Sequence, residues 1–478
     1  MKDESSQQID KVGPFLFLRG QRQETLRLSA LVIIRGSTAP LLRCDTGDVW
    51  PDQIAQMSGY RMLRYDFALP CAVNAWYELD DIRYEVATDI SGDARIGFVS
   101  CNGQEHGDLN RPGDERNEMW HRLCDRHRER PFNLLIHGGD QLYADEVTES
   151  HHLSSAWPSG HAEKLTPEEE EELSQALREA FFQRYLEQWS QPGLAWLTAR
   201  VPSLAMWDDH DICDGWGSLK AWKLDSAVGR ILFAAAREFF LLFQCGAGAD
   251  EIPETCIDPT GDGLSWGVNL PGLTVIAPDL RSQRRPDRVM GQSGWEAFRF
   301  ALESAPEGRV LVLSTVPALG PRLSILERIM KATPWMDKYE DDLRDQWQSY
   351  AHRGEWQDFL RAVIETHERP GHKVSLISGE IHLATRGTMR TDAGDLHQLV
   401  ASGISHPAPP TAWAGFLSLL ARLGEAPLRQ HPIKLHRLPG HRAIYTAERN
   451  YLILERNGEE WTAIWDLEDS GPTEPLPI

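Results

Sequence analysis

Residues Leu134 to Glu146 read LLIHGGDQLYADE. A short apolar run ends at two glycines, then come Asp140, Tyr143 and two more acids. Such a run, bounded by glycine, reads as a buried strand. The double glycine lets the backbone turn tightly where the strand stops. Working outward, the same pattern recurs. Cys101 follows IGFVS, and Asp208, Asp209, His210 and Asp211 follow LAMW. Asp279 follows TVIAP, and Glu380 and His382 end SLISGEIH. In an open parallel or mixed sheet the C-terminal strand ends form one crevice, where ligands bind.

Singly, each residue has a structural reading. A cysteine ending a strand is usually a small hydrophobe, and GGD is often only a turn. Tyr143 alone reads as a core aromatic, and DDHD as a helix cap. Their joint recurrence at strand ends points to a metal site. Carboxylates alone suit calcium or magnesium. A thiolate, a phenolate and imidazoles added to them suit a transition metal. Crowded anions need cations, so at least one metal is implied and two are expected.

The surrounding pattern sets the fold class. Residues 14–90 carry short alternating runs such as SALVIIRG and IRYEVATDI, read as antiparallel strands with one wet face. After residue 93, apolar strands alternate with long helical segments, the mark of a layered α+β or α/β domain. Strands are expected at 95–101, 132–139, 204–209, 273–280, 309–316, 373–382, 397–404 and 451–456. Thr166-Pro167-Glu168-Glu169 is a capping box with proline at the first helical position. Its acid run is therefore a solvated helix start. Residues 338–367 read as a charged, Trp-rich helical region, and 405–443 as an inserted loop or lid.

Composition narrows the partners. Of 478 residues, 41% are hydrophobic and 25% charged, ordinary for a globular protein. Lys plus Arg is 49 against 71 Asp plus Glu, a formal charge of −22. That sign argues against stable nucleic-acid binding. It leaves room for a small phosphate ester, because bound metal reverses the local field. The seven cysteines include no CxxC pair, so a zinc ribbon or disulfide framework is not expected. The N-terminal residues have no signal-like apolar core. The apolar stretch 229–245 contains Arg230, Arg237 and Glu238 and reads as a buried helix. A cytoplasmic protein with no membrane partner is the expectation.

The ordered set SC (100–101), GGDQLYAD (138–145), WDDHD (207–211), PDLRSQR (278–284), SGEIH (378–382) and SGISHP (402–407) resembles the PhoD-like alkaline phosphatases, a branch of the calcineurin-like metallophosphoesterases. The motifs cover roughly residues 95 to 410. The resemblance implies a metallophosphoesterase β-sandwich core flanked by helices at 94–478, preceded by a small all-β, sandwich-like domain at 1–93. It implies an alkaline phosphatase or phosphodiesterase whose site holds ferric iron with calcium, with manganese, magnesium and zinc as other candidates. The chain departs from the secreted type in having no twin-arginine signal, Glu380 where aspartate is commoner, and Asp211 where glutamate is usual.

Within that resemblance, Asp140 is the natural bridging carboxylate. Tyr143 and Cys101 would bind one ion as phenolate and thiolate, and Asp209, Glu380 and His382 would hold the second or close the first. His210 is the candidate general acid, with Asp211 as its orienting carboxylate. Arg281 would hold a phosphate oxygen. Asp208, Asp279 and His406 complete the candidate set. The expected reaction is in-line attack by a metal-bound hydroxide, with His210 protonating the leaving oxygen. A strict phosphodiesterase or nucleotide hydrolase is the alternative. A non-catalytic metal-binding protein ranks below it, because His210 and the ligands are all present. A calcium-stabilised structural protein ranks lower still, having no use for Cys101 or His382.

Overall fold

A computed structural model describes residues 10–72, 75–159, 164–321 and 346–478. The architecture is mixed α/β, with two large sheets and one small one. The first large sheet is centred on three parallel strands, Ala94–Val99, Leu134–Gly138 and Ser203–Met206. All three are buried at every residue, as expected where both faces are covered. Strand Asn450–Asn457 flanks them on one side, antiparallel to Ala94–Val99. On the other side strand Lys11–Arg22 pairs in parallel with Ser203–Met206, Phe17 facing Ser203.

The N-terminal strands therefore do not form a sheet apart. Strands Lys11–Arg22, Thr25–Arg35, Tyr60–Pro70 and Asp52–Met57 extend the sheet that carries the candidate site. Strand Thr25–Arg35 is buried without interruption from Leu28 to Ile34, so the wet face expected for this region is missing there. Four short strands between Leu42 and Val86 make the small sheet.

The second large sheet runs Trp266–Leu270, Leu273–Ala277, Gly308–Leu313, His372–Ser378, Gly394–Val400, Thr385–Thr391, His431–His436 and Glu425–Leu428. Apolar side chains of both sheets share one cluster: Ile96, Phe98 and Ile136 from the first, Val275, Leu313 and Leu399 from the second. The other face of the first sheet is covered by helices Gly113–Glu129, Pro167–Trp189 and Ala227–Cys245. The second is covered by Gln292–Ser304, Arg353–Glu368 and Thr411–Ala421.

Local chemistry explains the helix ends. The Thr166 hydroxyl accepts from Glu169 N–H, and the Glu169 carboxylate accepts from Thr166 N–H, closing the capping box. Ser226 caps Ala227–Cys245, and Gly246 ends it in the left-handed conformation. Among the described residues, no helix is long and apolar enough to cross a membrane. Two expectations change. The segment 405–443 is not a loop: it holds helix Thr411–Ala421 and a hairpin that adds to the edge of the second sheet. Of the expected helical region 338–367, helix Arg353–Glu368 is present, and 338–345 lies outside the described residues.

Candidate metal centre and proton donor

The strand ends of the two sheets are sewn together by backbone. Cys101 N–H donates to Gly139 O at 3.1 Å, and Asn102 N–H to Asp140 O at 2.7 Å. From the second sheet, Ile404 N–H donates to Ser100 O at 3.0 Å and His406 N–H to Cys101 O at 3.1 Å. Gly139 has φ +102°, and a Cβ there would sit 2.8 Å from Asp208 Cβ. The close approach of the two loops therefore requires glycine. Cys101, Asp140, Glu380 and His382 all hold positive φ, between 53° and 65°. This is costly for side chains of these types and is sustained only by surrounding structure.

Three carboxylates meet in the crevice: Asp140, Asp208 and Asp209 offer ligand oxygens all within 4.8 Å of one another. All three are buried. Asp140 Oδ1 is buried and has no hydrogen-bond partner. Cys101 Sγ lies 3.5 Å from Asp140 Oδ2 and accepts from the Ser402 hydroxyl at 3.1 Å. Burial, reinforced by the Asp208 charge, pushes the Asp140 carboxyl well above its usual range. Burial does the same to the Cys101 thiol, with the Asp140 charge adding to it. It also raises the Tyr143 hydroxyl, again with help from neighbouring anions. A donor set that burial would protonate, with one carboxylate oxygen left bare, fits a bound cation, whose charge reverses each of these tendencies.

The other expected ligands are placed differently. The Tyr143 hydroxyl is 3.0 Å from His382 Nε2, so these two donors face each other. The His382 ring stacks on His406 with centroids 3.4 Å apart. Glu380 has its backbone at the site, but both its carboxylate oxygens accept from Gln346 Nε2, at 2.8 and 2.9 Å. Its carboxylate is not part of the Asp140 cluster in this geometry.

Two further assignments change on contact. Asp211 does not orient His210. It is fully buried, and Oδ2 accepts from Asp140 N–H and Asp208 N–H, both at 2.9 Å. Its Oδ1 accepts from Leu142 N–H at 3.1 Å and Gln244 Nε2 at 2.9 Å. Burial raises it to about 7 despite these bonds. The carboxylate on His210 is Asp145, with Oδ2 3.0 Å from His210 Nδ1. Burial alone would lower the imidazole, but the charges of Asp145 and Asp209 override it and hold His210 well above its ordinary value. The ring stacks on Tyr143 at 4.5 Å.

Arg281 is also placed otherwise than expected. It is fully buried, ion-paired with Asp208, 3.2 Å from Asp209 Oδ1, and donates to Trp216 O at 3.3 Å. It holds the two aspartates of the cluster and is not positioned to meet a phosphate oxygen from solvent. Asp279 braces the loop that presents Arg281. It accepts from Trp207 Nε1 at 3.1 Å, Leu264 N–H at 2.6 Å, and the backbone of Arg281 and Ser282.

Sequence reasoning missed Asp145, although it ends GGDQLYAD, five residues after Asp140. It missed Glu105, whose carboxylate lies 3.3 Å from His406 Nε2 at the mouth. Gln244 and Gln346 were missed as well; the one signal for Gln244 is its polarity within an apolar helix, and nothing in the sequence points to Gln346.

Comparisons with known proteins show the family and the fold. The family model described as "PhoD related phosphatase" matches residues 83–338. "Uncharacterized protein YGR266W" of Saccharomyces cerevisiae is 21% identical over 400 residues, covering 64% of this chain and 56% of that protein. The chain thus spans little more than half the length of this relative. A solved structure, "Structure of PhoD", is similar in fold with a TM-score of 0.57, over 97% of this chain and 88% of that one, at 12% identity. With over half its length matched by the family model, the chain belongs to the PhoD-related phosphatase family.

Proposed function

We propose that the chain is a metal-dependent phosphoesterase working at the Asp140 crevice. Family membership supports phosphoester hydrolysis in general. The finer reading rests on one observation: an imidazole, His210 on Asp145, whose acidic neighbours favour its charged form, stands beside a buried carboxylate cluster with a bare Asp140 oxygen. Asp140, Asp208 and Asp209 would hold the cations, with Cys101, Tyr143, Glu380 and His382 as further ligands after local rearrangement. Bound cations would neutralise the phosphoryl oxygens and acidify the attacking water.

The remaining work belongs to the chain. Asp145 accepts from Nδ1–H of His210 and so leaves Nε2–H to protonate the departing ester oxygen. Asp211 ties the loops of Asp140 and Asp208 to one carboxylate and so fixes their spacing. Arg281 pairs with Asp208 and Asp209 and so orients them. The two-sheet layout as a metallophosphoesterase sandwich, an iron–calcium pair, and a cytoplasmic setting with a small ester as substrate are part of this proposal.

One observation favours a phosphodiester over a monoester. Glu105, held below the usual carboxylate range by His406 against the opposing effect of burial, places an anion at the mouth. A diester brings one charge past it, a monoester two.

Elemental analysis of freshly purified protein, with rates on a monoester and a diester chromogenic substrate, tests both readings. Bound metal with a diester preference is expected. Metal-free protein that is fully active sinks the metal reading, and a monoester preference sinks the diester one.

A further inference from the structure

Helix Thr411–Ala421 presents an unusual surface. Its inner face, Ala414, Leu417, Leu420 and Ala421, packs in the core of the second sheet's helices. Its outer face is apolar too. Trp413 is 41% exposed, Phe416 38%, Leu419 61% and Leu423, just past the helix, 61%. Ala412 and Gly415 are exposed between them. At 100° per residue these positions share one side of the helix. Thr411 to Ala421 contain no charged residue. A helix covered on one side and apolar on the other is not the pattern of an ordinary surface helix.

The charge around it differs from the rest of the chain. Across residues 405–443 there are five basic residues, Arg422, Arg429, Lys434, Arg437 and Arg442, and one acid, Glu425. All five are exposed, while Glu425 is buried and near Arg353. Ser418 of the helix accepts from Tyr445 N–H at 3.2 Å, which ties the segment bearing Arg442 against it. A protein with formal charge −22 thus carries a locally basic stretch in the segment that holds its apolar helix face.

We infer that this face docks on an anionic lipid bilayer. Aromatic and leucine side chains would enter the acyl boundary, while the arginines and Lys434 meet the headgroups. A second copy of this chain is the less apt occupant, since the same basic residues would face one another across a twofold contact. Trp413 follows His406 by seven residues, so at most about 25 Å of chain separates the face from the mouth of the site. The docking departs from the expectation of no membrane partner. It does not depend on the phosphoesterase reading.

Flotation of the full chain with vesicles is the test. Wild-type protein is expected to float with phosphatidylcholine–phosphatidylserine vesicles at low salt, and to be released by high salt or by omitting phosphatidylserine. Phe416→Ser with Leu419→Gln should weaken binding by about ten-fold or more, with an unchanged unfolding temperature because the face is exposed. Arg422→Glu with Arg429→Glu should abolish the preference for the anionic lipid. Absence of flotation overturns the inference. So does salt-insensitive binding equal on both vesicles, or a marked fall in unfolding temperature, which would mean the face is packed within the protein. A wild-type dimer split by Leu419→Gln, with no flotation, overturns it in favour of self-association.

Discussion

Among the described residues, two groups outside glycine take the left-handed backbone conformation. Gln23, Ser58, Asp80 and Asp81 do so in the hairpin turns of the N-terminal strands. Cys101, Asp140, Glu380 and His382 do so at the strand ends that form the site. In the hairpins the conformation is a local requirement, since a tight turn between twisted strands needs positive φ. It falls there on aspartate and serine for the most part, next to water. At the site it falls on cysteine, glutamate and histidine as well, within the fold, beside buried carboxylates. There it is imposed by backbone bonds between loops distant in sequence. The first kind of strain serves folding; the second is maintained for the sake of where the side chains point.

Substitutions can break that contrast. Asp140→Asn should have the largest effect, lowering activity by about 10³-fold or more with loss of metal. The metal-free variant should nonetheless be more stable than metal-free wild type, because burial and Asp208 penalise the carboxylate. Metal analysis and denaturant unfolding read both; unchanged metal content with unchanged rate removes Asp140 from the centre. His210→Ala should cost about 10²–10⁴ in rate, less for substrates with acidic leaving groups. Asp145→Asn should give a smaller loss with an altered pH–rate profile. A larger loss from Asp211→Asn with metal and fold intact would restore Asp211 as the orienting group.

Stability comes next. Gly139→Ala must force a side chain into left-handed backbone against Asp208 and Thr315. It should destabilise by about 2–3 kcal/mol, read by denaturant melting, and a neutral result would mean the loops are not held this closely. Behind the site, His137 is kept neutral by burial and lowered to about 4. Its folded value lies below its unfolded one, so its contribution is present above about pH 6.5 and is lost as pH falls toward 4. His137→Gln should flatten the fall of unfolding free energy over that window by about 1–3 kcal/mol, and an unchanged slope would place the acid sensitivity elsewhere. The smallest effect belongs to the hairpins. Asp81→Gly should change stability by no more than about 0.5 kcal/mol, and a larger loss would show that this turn, too, is held from afar.

Legibility follows the same division. Strand ends, the capping box at Thr166 and the recurrence of Asp140, Asp209, His210 and His382 depend on neighbours in sequence, and each was readable. The partner of His210 depends on which of two nearby aspartates the loop turns inward, and adjacency wrongly favoured Asp211 over Asp145. Arg281 reads as a phosphate ligand from its motif, yet its burial is decided by Asp208 and Trp216 across the crevice. A change of pattern after residue 93, together with the family resemblance, implied that residues 1–93 stand apart. Pattern does not reveal that strand Lys11–Arg22 sits beside Ser203–Met206.

That pairing bears on how the protein is made. The three parallel strands at the heart of the first sheet are bordered by Lys11–Arg22 on one side and Asn450–Asn457 on the other. As the polypeptide leaves the ribosome, the first border is available early. The edge of Ala94–Val99 stays open until more than three hundred and fifty further residues have emerged. At about 5–20 residues per second this is tens of seconds of exposed, largely apolar strand. A chaperone that covers that edge would matter more to the yield of this protein than any single contact in its finished site.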